Sequence, residues 1–229
     1  MSGIYLHVPF CRTACHYCDF HFSTSMKSVD SFVDAVIREV KIRSGQTPWT
    51  SSLFRTLYFG GGTPSILSVA QAQRIVSTIR RCLSVEGSWA ESTIEVNPED
   101  VNKESLRGWR KCGFNRISIG VQSFDDDQLN WMNRNHSAAE ACEAIRLAKS
   151  EGFEKISIDL IYGIPHRSEK SWWGTIEKAF SLPVDHISCY ALTLEPKTVL
   201  GARVKKGKEK EVPDELIEKD YSALCSMAH

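Results

Sequence analysis

Apolar and polar positions along the chain follow two alternating periods. Short runs rich in β-branched and aromatic residues predict six strands. The predicted strands are Ile4–Val8, Phe54–Phe59, Thr93–Val96, Arg116–Val121, Lys155–Ile161 and His186–Ala191. Longer runs, in which apolar residues recur every three or four positions, predict six helices that follow these strands in turn. The predicted helices are Val29–Arg43, Ala70–Ser84, Lys103–Lys111, Ala138–Glu151, Glu169–Ser181 and Asp214–Met227.

The ends of several predicted helices carry cap signals. Ser68 and Ser137 precede the second and fourth helices, where a side-chain oxygen can accept a hydrogen bond from the first turn. A glycine follows each of the first four helices, where a residue in the left-handed conformation is expected. These glycines are Gly45, Gly87, Gly113 and Gly152. The cap signals therefore support the predicted boundaries.

Strict alternation of strand and helix predicts a parallel sheet with right-handed crossovers, either open and doubly wound or curved toward a barrel. In both architectures, functional residues gather at the carboxyl ends of the strands. Polar and glycine-rich residues lie near those ends in five of the predicted strands. They are the cysteine loop after the first strand, Gly60–Thr63 after the second, Glu95 and Asn97 in or after the third, Gln122 after the fourth and Asp159 in the fifth.

Composition narrows the class of protein. The 229 residues are 42% apolar, which is ordinary for a globular chain, and 28 basic residues balance 28 acidic ones. A net charge of zero gives no general attraction to nucleic acid, so we expect no nucleic-acid partner. No run approaches the roughly 18 apolar residues of a membrane span, and the first residues lack a signal-peptide pattern. We therefore expect a cytoplasmic protein without a transmembrane segment.

Three of the eight cysteines lie together, at Cys11, Cys15 and Cys18, while the other five are scattered. In a reducing compartment this cluster predicts metal or redox chemistry rather than disulfides. Thiolates suit either zinc or an iron–sulfur cluster. Zinc would need a fourth ligand, for which the nearby candidates are His7, His16 and His21. A cubane cluster held by three thiolates would instead leave one iron open to another ligand.

The Cys-x3-Cys-x2-Cys pattern, with Tyr17 directly before the third cysteine, resembles the signature of the radical S-adenosylmethionine superfamily. Longer segments, in order from about Tyr5 to Pro196, resemble the oxygen-independent coproporphyrinogen III oxidase group and its haem-chaperone relatives. The most similar segments are Tyr5–Cys11, Gly60–Ser65, Glu95–Pro98, Ser118–Phe124 and Asp159–Pro165.

The resemblance implies a fold and two cofactors. The expected fold is a partial (β/α)6 barrel of parallel strands, of the TIM-like radical S-adenosylmethionine type. We expect residues 1–229 to form this core domain without the C-terminal region that the family carries. The implied cofactors are a [4Fe-4S] cluster on Cys11, Cys15 and Cys18 and S-adenosylmethionine on the open iron. One electron from such a cluster cleaves the sulfonium and yields a 5′-deoxyadenosyl radical.

Contacts to S-adenosylmethionine are implied residue by residue. The matching positions are Tyr5, Tyr17, Gly61, Gly62, Thr63, Glu95, Gln122, Arg134, Asp159 and Ala191. A glycine-rich loop lets backbone groups approach the methionyl amino group, and Arg134 can pair with the methionyl carboxylate. The resemblance assigns no further catalytic residue. We interpret His136, Cys142 and Cys189 as structural.

One position departs from the oxidase pattern. The oxidases carry a fourth cysteine two residues after the third, whereas this chain has Cys18-Asp19-Phe20. That ending resembles the haem-chaperone branch, which implies haem or a porphyrin(ogen) as ligand, a reducing electron donor, and haem-acceptor proteins as partners. Two alternatives remain open, an active oxidase that converts propionates to vinyl groups and a non-enzymatic zinc-binding scaffold. Because Phe20 replaces the cysteine, we do not expect decarboxylase activity.

Overall fold

Six parallel strands form one sheet in which each strand pairs with the next in the chain. The computed structural model describes residues 2–165 and 169–228. The strands are β1 (Ser2–Val8), β2 (Phe54–Gly61), β3 (Glu91–Val96), β4 (Arg116–Gln122), β5 (Lys155–Tyr162) and β6 (His186–Ala191). All six predicted strands are confirmed, and the observed boundaries differ by at most two residues. Between the described residues, β1 and β6 do not pair with each other. The sheet is thus open, in keeping with a partial barrel.

Eight α-helices accompany the strands in the described ranges. They are α1 (Val29–Arg43), α2 (Val69–Cys82), α3 (Lys103–Cys112), α4 (Asp126–Trp131), α5 (Ala138–Ser150), α6 (Glu169–Ser181), α7 (Val199–Lys205) and α8 (Asp214–Ala228). The sequence pattern missed α4 and α7, because six or seven residues are too few to show a helical period. Within residues 2–165 and 169–228, none of the helices has both the length and the apolar character to cross a membrane.

Several of the predicted caps are confirmed. Ser68 accepts a hydrogen bond from the backbone N–H of Gln71 at the start of α2, and Ser137 accepts one from Glu140 at the start of α5. Gly113 and Gly152 follow α3 and α5 with φ of 101° and 86°. Both glycines therefore take the left-handed conformation that ends a helix.

The predictions for Gly45 and Gly87 are wrong. Helix α1 ends through Ser44, which is still in the right-handed helical region. Helix α2 leaves the helical conformation at Leu83, in an extended conformation, so Gly87 lies beyond its end. Among the described residues, neither glycine is one of those with positive φ. A glycine near the end of a helical pattern thus marked a loop here, without ending the helix itself.

Side chains alternate between the two faces of the sheet. One face is apolar and packs with the helices in a core that contains Leu57, Ile94, Ile119 and Ile158. The opposite face is polar and bears a row of side chains that crosses the strands, in which Glu95 lies opposite Ser118 and Asp159 lies opposite Ser188. This row contains Tyr58, Glu95, Ser118, Asp159 and Ser188. The polar face is the inner face of the partial barrel.

Charged side chains lie on the inner face near the amino ends of the strands. Arg116 donates a hydrogen bond to Thr93 Oγ1 at 3.3 Å and lies 4.0 Å from the Glu91 carboxylate. Lys155 Nζ lies 3.9 Å from the same carboxylate. The basic residues Arg116 and Lys155 thus lie nearer to the amino ends of the strands than the acidic residues Glu95 and Asp159 do.

Gly108 permits close packing between α3 and α2, and its replacement tests that packing. A Cβ at Gly108 would overlap both methyl groups of Val69, whereas a Cβ at Gly174 in α6 would meet no described residue within 4 Å. Gly108→Ala should lower the free energy of unfolding by about 1–3 kcal/mol. Gly174→Ala should raise it by roughly 0.5–1 kcal/mol, because alanine favours the helix. Urea unfolding measures both, and equal stabilisation by the two changes would contradict the packing described.

Candidate functional site

The three clustered cysteines lie in a loop that follows β1 and has little regular secondary structure. At its start, the backbone N–H of Cys11 donates to the carbonyl of Ser23 at 3.1 Å, and near its end the N–H of Cys18 donates to the carbonyl of Cys15 at 3.3 Å. All three thiols are free and half-buried. Burial raises the pKa of Cys11 and of Cys18, and the nearby Cys15 raises each further. The three thiols are therefore close enough to influence one another electrostatically.

The loop after β2 packs against the first cysteine. A Cβ at Gly62 would lie 2.6 Å from the carbonyl oxygen of Phe10 and 3.0 Å from the Cys11 sulfur. The Thr63 hydroxyl donates to that sulfur at 3.5 Å. Only a glycine fits at position 62, because a larger residue would push the loop away from the thiol. The structure thus brings the predicted residues Gly62 and Thr63 to Cys11.

Arg134 connects the cysteine loop to the ends of β3 and β4. Its Nη1 donates to the Cys15 sulfur at 3.4 Å, and its Nη2 donates to Asn97 Oδ1 and to the carbonyl of Gly120, both at 2.8 Å. Its Nε is buried and has no hydrogen-bond partner among the residues that the structure describes. A buried N–H donor without a partner beside a thiol is suited to an anionic group such as a carboxylate.

Gln122 lies beside Arg134 because the end of β4 is irregular. The pairing of β4 with β5 shifts register between Ile119 and Gln122, and Gln122 has a φ of 69°. An irregularity of this kind changes the direction of a side chain at the end of a strand. A Cβ at Gly120 would lie 3.1 Å from Gln122 Nε2 and 3.6 Å from Arg134 Nη2. The two predicted side chains therefore approach each other over Gly120.

Two carboxylates, Glu95 and Asp159, lie on the inner face of the sheet. Glu95 accepts from the Tyr58 hydroxyl at 2.6 Å and from the backbone N–H of Gly61 at 3.1 Å. Burial raises the pKa of Glu95 despite these bonds. Asp159 accepts from Ser118 Oγ at 3.5 Å. Burial, followed by the charge of Glu95, raises the pKa of Asp159 to about 6.

The remaining predicted residues, Tyr17, Tyr5 and Ala191, lie in three different parts of the fold. Tyr17 lies beside Cys15 and Arg134, and burial raises the pKa of its hydroxyl. Tyr5 lies in the middle of β1, and its side chain is 59% exposed and stacks on Tyr58 at 5.8 Å between ring centroids. Ala191 ends β6 and pairs with Tyr162. No contact described for Ala191 joins it to the other predicted residues.

The residues interpreted as structural lie within the fold. His136 is buried, and its Nε2 donates to the carbonyl of Val121 at 3.0 Å. Cys142 is buried in the main core, and Cys189 packs against that core. Of the histidines considered as zinc ligands, His16 bonds through Nδ1 to the carbonyl of Trp131 at 2.8 Å. In the ranges 2–165 and 169–228, no three or more His, Cys, Asp and Glu side chains are grouped as they would be around a single metal ion.

Sequence reasoning missed several partners of the site residues. Tyr58 bonds Glu95, and Asn97 bonds Arg134. Asn133 and Asn135 contact the cysteine loop from the segment after α4. A signal existed in the polar triplet Asn133-Arg134-Asn135, of which only the arginine was singled out.

The parallel sheet, the cysteine loop at its carboxyl edge and the adjacent glycine loop define an α/β protein with a thiol-rich site at one edge of its sheet. The model of the radical SAM superfamily matches residues 5–179. The chain belongs to this superfamily, and membership implies a [4Fe-4S] cluster and S-adenosylmethionine as cofactors. The free thiols, the close approach of Gly62 to Cys11 and the open N–H of Arg134 fit that pair of cofactors.

Similar proteins extend beyond the length of this chain. The chain is 35% identical over 227 residues to a protein named heme chaperone HemW from Bacillus subtilis, covering 99% of this chain and 59% of that protein. It is 36% identical to the protein of the same name from Synechocystis, covering 93% and 52%. Among solved structures, coproporphyrinogen III oxidase (HemN) from Escherichia coli matches with a TM-score of 0.84 and 26% identity, covering 98% and 52%. The chain thus spans between half and three-fifths of these relatives.

The raised pKa of Asp159 predicts how stability depends on pH. Its pKa is about 6 in the folded chain against an ordinary value of 3.8, so the folded state holds the proton more tightly. The free energy of unfolding should therefore fall as pH rises from about 4 to about 6. Asp159→Asn should reduce that fall, to which Glu95 also contributes, and stabilise the cluster-free chain at pH 7 by at most about 3 kcal/mol.

Urea unfolding of the cluster-free chain at several pH values measures this effect. Glu177→Gln, at an exposed position of α6, is the matched control and should leave the pH dependence as it is. An Asp159→Asn variant with the pH dependence of the unchanged chain would show that Asp159 is not a proton-binding group of this kind.

Proposed function

We propose that Cys11, Cys15 and Cys18 bind the [4Fe-4S] cluster, and that the chain is the radical S-adenosylmethionine part of a haem chaperone. The assignment of the cysteines is supported by their position in one loop at the carboxyl edge of the sheet and by the contacts of Thr63 with Cys11 and of Arg134 with Cys15. When bound, the cluster supplies the single electron for reductive cleavage of S-adenosylmethionine. The chain's own residues bind and orient the two cofactors.

The proposed contacts to S-adenosylmethionine include one basic and two acidic side chains, which suit different groups of the cofactor. The open Nε of Arg134 suits the methionyl carboxylate. Glu95 and Asp159 are acceptors for the ammonium group and the ribose hydroxyls, and a cation near them would favour their charged forms. The other proposed contacts are Tyr5, Tyr17, Gly61, Gly62, Thr63, Gln122 and Ala191. Gly61 and Gly62 let the loop after β2 pack closely on β1 and the cysteine loop, because a Cβ would lie 2.6 Å from the His7 ring at position 61 and 2.6 Å from the Phe10 carbonyl at position 62.

The observation that carries the chaperone proposal is Phe20. It lies two residues after Cys18, is 69% exposed, and replaces the cysteine implied for the oxidases. The similarity to proteins named heme chaperone HemW supports the same assignment. Haem or a porphyrin(ogen) is the proposed ligand, and the proposed partners are a reducing electron donor and haem-acceptor proteins.

An oxidase is the second candidate, favoured by the structural likeness to coproporphyrinogen III oxidase. The two candidates predict different products. A chaperone should bind haem and release it to an acceptor, whereas an oxidase should convert two propionates of coproporphyrinogen III to vinyl groups and form 5′-deoxyadenosine. Phe20 is the position at which the chain departs from the oxidase pattern.

Replacement of single cysteines tests the ligand assignment. Cys15→Ala should abolish the cluster formed by anaerobic reconstitution with iron and sulfide, because two thiolates do not hold it. Cys142→Ala is the matched control, since Cys142 is buried in the core away from the loop, and it should retain the cluster. Visible absorbance and electron paramagnetic resonance report the cluster. A wild-type signal in Cys15→Ala would refute the assignment.

Incubation with haem and, separately, with coproporphyrinogen III tests the function. The reconstituted chain, given S-adenosylmethionine and a reductant, should shift the Soret band of haem and form no divinyl product. Phe20→Cys should not create oxidase activity by itself, because the substrate pocket depends on other residues. Stoichiometric 5′-deoxyadenosine together with a divinyl product would overturn the chaperone proposal and support the oxidase.

A further inference from the structure

Three consecutive residues after α4 contact three consecutive residues of the cysteine loop. Asn135 Nδ2 donates to Thr13 Oγ1 at 2.7 Å, and Asn133 Nδ2 donates to the carbonyl of Ala14 at 2.8 Å. Arg134 Nη1, between them, donates to the Cys15 sulfur at 3.4 Å. We call residues 133–135 the brace. Each of its side chains thus supplies a donor to a different position of the loop.

The end of α4 sets the direction of the brace. The N–H of Asn133 donates to the carbonyl of Asn130 at 3.0 Å, and the N–H of Arg134 donates to that of Leu129 at 2.9 Å. Asn133 takes a φ of 62°. This pair of bonds with a left-handed residue is a Schellman ending, which turns the chain sharply after a helix. The turn directs the chain after α4 toward the loop.

The far end of the brace is fixed by a buried histidine. His136 donates through Nε2 to the carbonyl of Val121 at 3.0 Å, and its Nδ1 lies 3.4 Å from the Glu99 carboxylate. At the near end, the N–H of His16 donates to the carbonyl of Met132 at 3.2 Å. The brace is therefore held between a helix end and the sheet, while the loop it contacts has little secondary structure.

We propose that Asn133 and Asn135 are positioning residues that hold the cysteine loop in its ligand geometry, and that Arg134 raises the reduction potential of the cluster through its bond to Cys15. The inference rests on the proposed cysteine ligands and not on haem transfer. Partners outside the ligand set commonly orient metal ligands and alter their metal affinity. Hydrogen bonds to ligand sulfurs set the potentials of iron–sulfur clusters, because a donor stabilises the more negative reduced state.

Cluster lifetime tests the positioning role. Asn133→Gly removes the bond to Ala14 but allows the positive φ, and Asn135→Ala removes the bond to Thr13. Each variant should lose its cluster to a chelator about fivefold faster than the unchanged chain, as expected for one hydrogen bond. Asn130→Ala, at an exposed position of α4, is the control and should lose the cluster at the normal rate.

A matched change on the loop separates positioning from folding. Thr13→Ala removes the same bond as Asn135→Ala without changing the brace, so each single variant should show the same acceleration. The double variant should then be no faster than either one, as expected for two groups that act through one contact. If Asn135→Ala does not fold, Thr13→Ala decides this part of the proposal. Normal lifetimes in both Asn133→Gly and Thr13→Ala would overturn the positioning role.

The reduction potential is a readout that a purely structural role would not move. In a redox titration followed by electron paramagnetic resonance without S-adenosylmethionine, Arg134→Met should shift the midpoint potential to a more negative value. An unchanged or higher potential would overturn the role of Arg134. If the wild-type chain takes up no cluster, the cysteine assignment is wrong. If the wild-type cluster is stable and none of these substitutions changes its lifetime or its potential, only the proposed role of the brace is wrong.

Discussion

The site depends on one geometric constraint, which is that all strands of a parallel sheet end at the same edge. Consecutive pairing from β1 to β6 therefore gathers loops that are far apart in the chain. The cysteine loop after β1, Gly62 after β2 and Asn97 after β3 meet at this edge, and Arg134 joins the cysteine loop to Asn97. Without the parallel register, the thiol of Cys15 and the carbonyl of Gly120 would not share one guanidinium group.

A chain without net charge nevertheless has a polarised interior. Glu95 and Asp159 lie on the inner face, on strands that β4 separates, and both lose solvent, which raises their pKa values. Arg116 lies closer to the amino ends of the strands and partly offsets this rise. On the loop side, Arg134 is the positive counterpart of the thiols. The overall balance of charges in the sequence thus conceals a local separation of charge, with two carboxylates on the inner face and the Arg134 guanidinium beside the thiols.

Local patterns predicted the regular elements well, since strand and helix periods extend over many residues. They failed for α4 and α7, which are too short, and for Gly45 and Gly87, whose roles depend on how the preceding helix ends. Motif resemblance selected the cysteines and Arg134, and the structure places Arg134 in contact with Cys15. It did not find Tyr58 or Asn133, because their partners lie at distant positions in the chain and their contacts arise only from tertiary packing.

The open sheet determines how a ligand can reach the inner face. Within the described residues, β1 and β6 each keep one edge without a strand partner. Strands therefore cover the polar row of Tyr58, Glu95 and Asp159 on one side only, whereas a closed barrel would enclose it. A closed barrel admits ligands through its ends, and its diameter limits their size. In an open sheet, the protein segment that covers the open side controls the entry of ligands. A broad, flat molecule therefore need not pass through the end of a closed ring of strands.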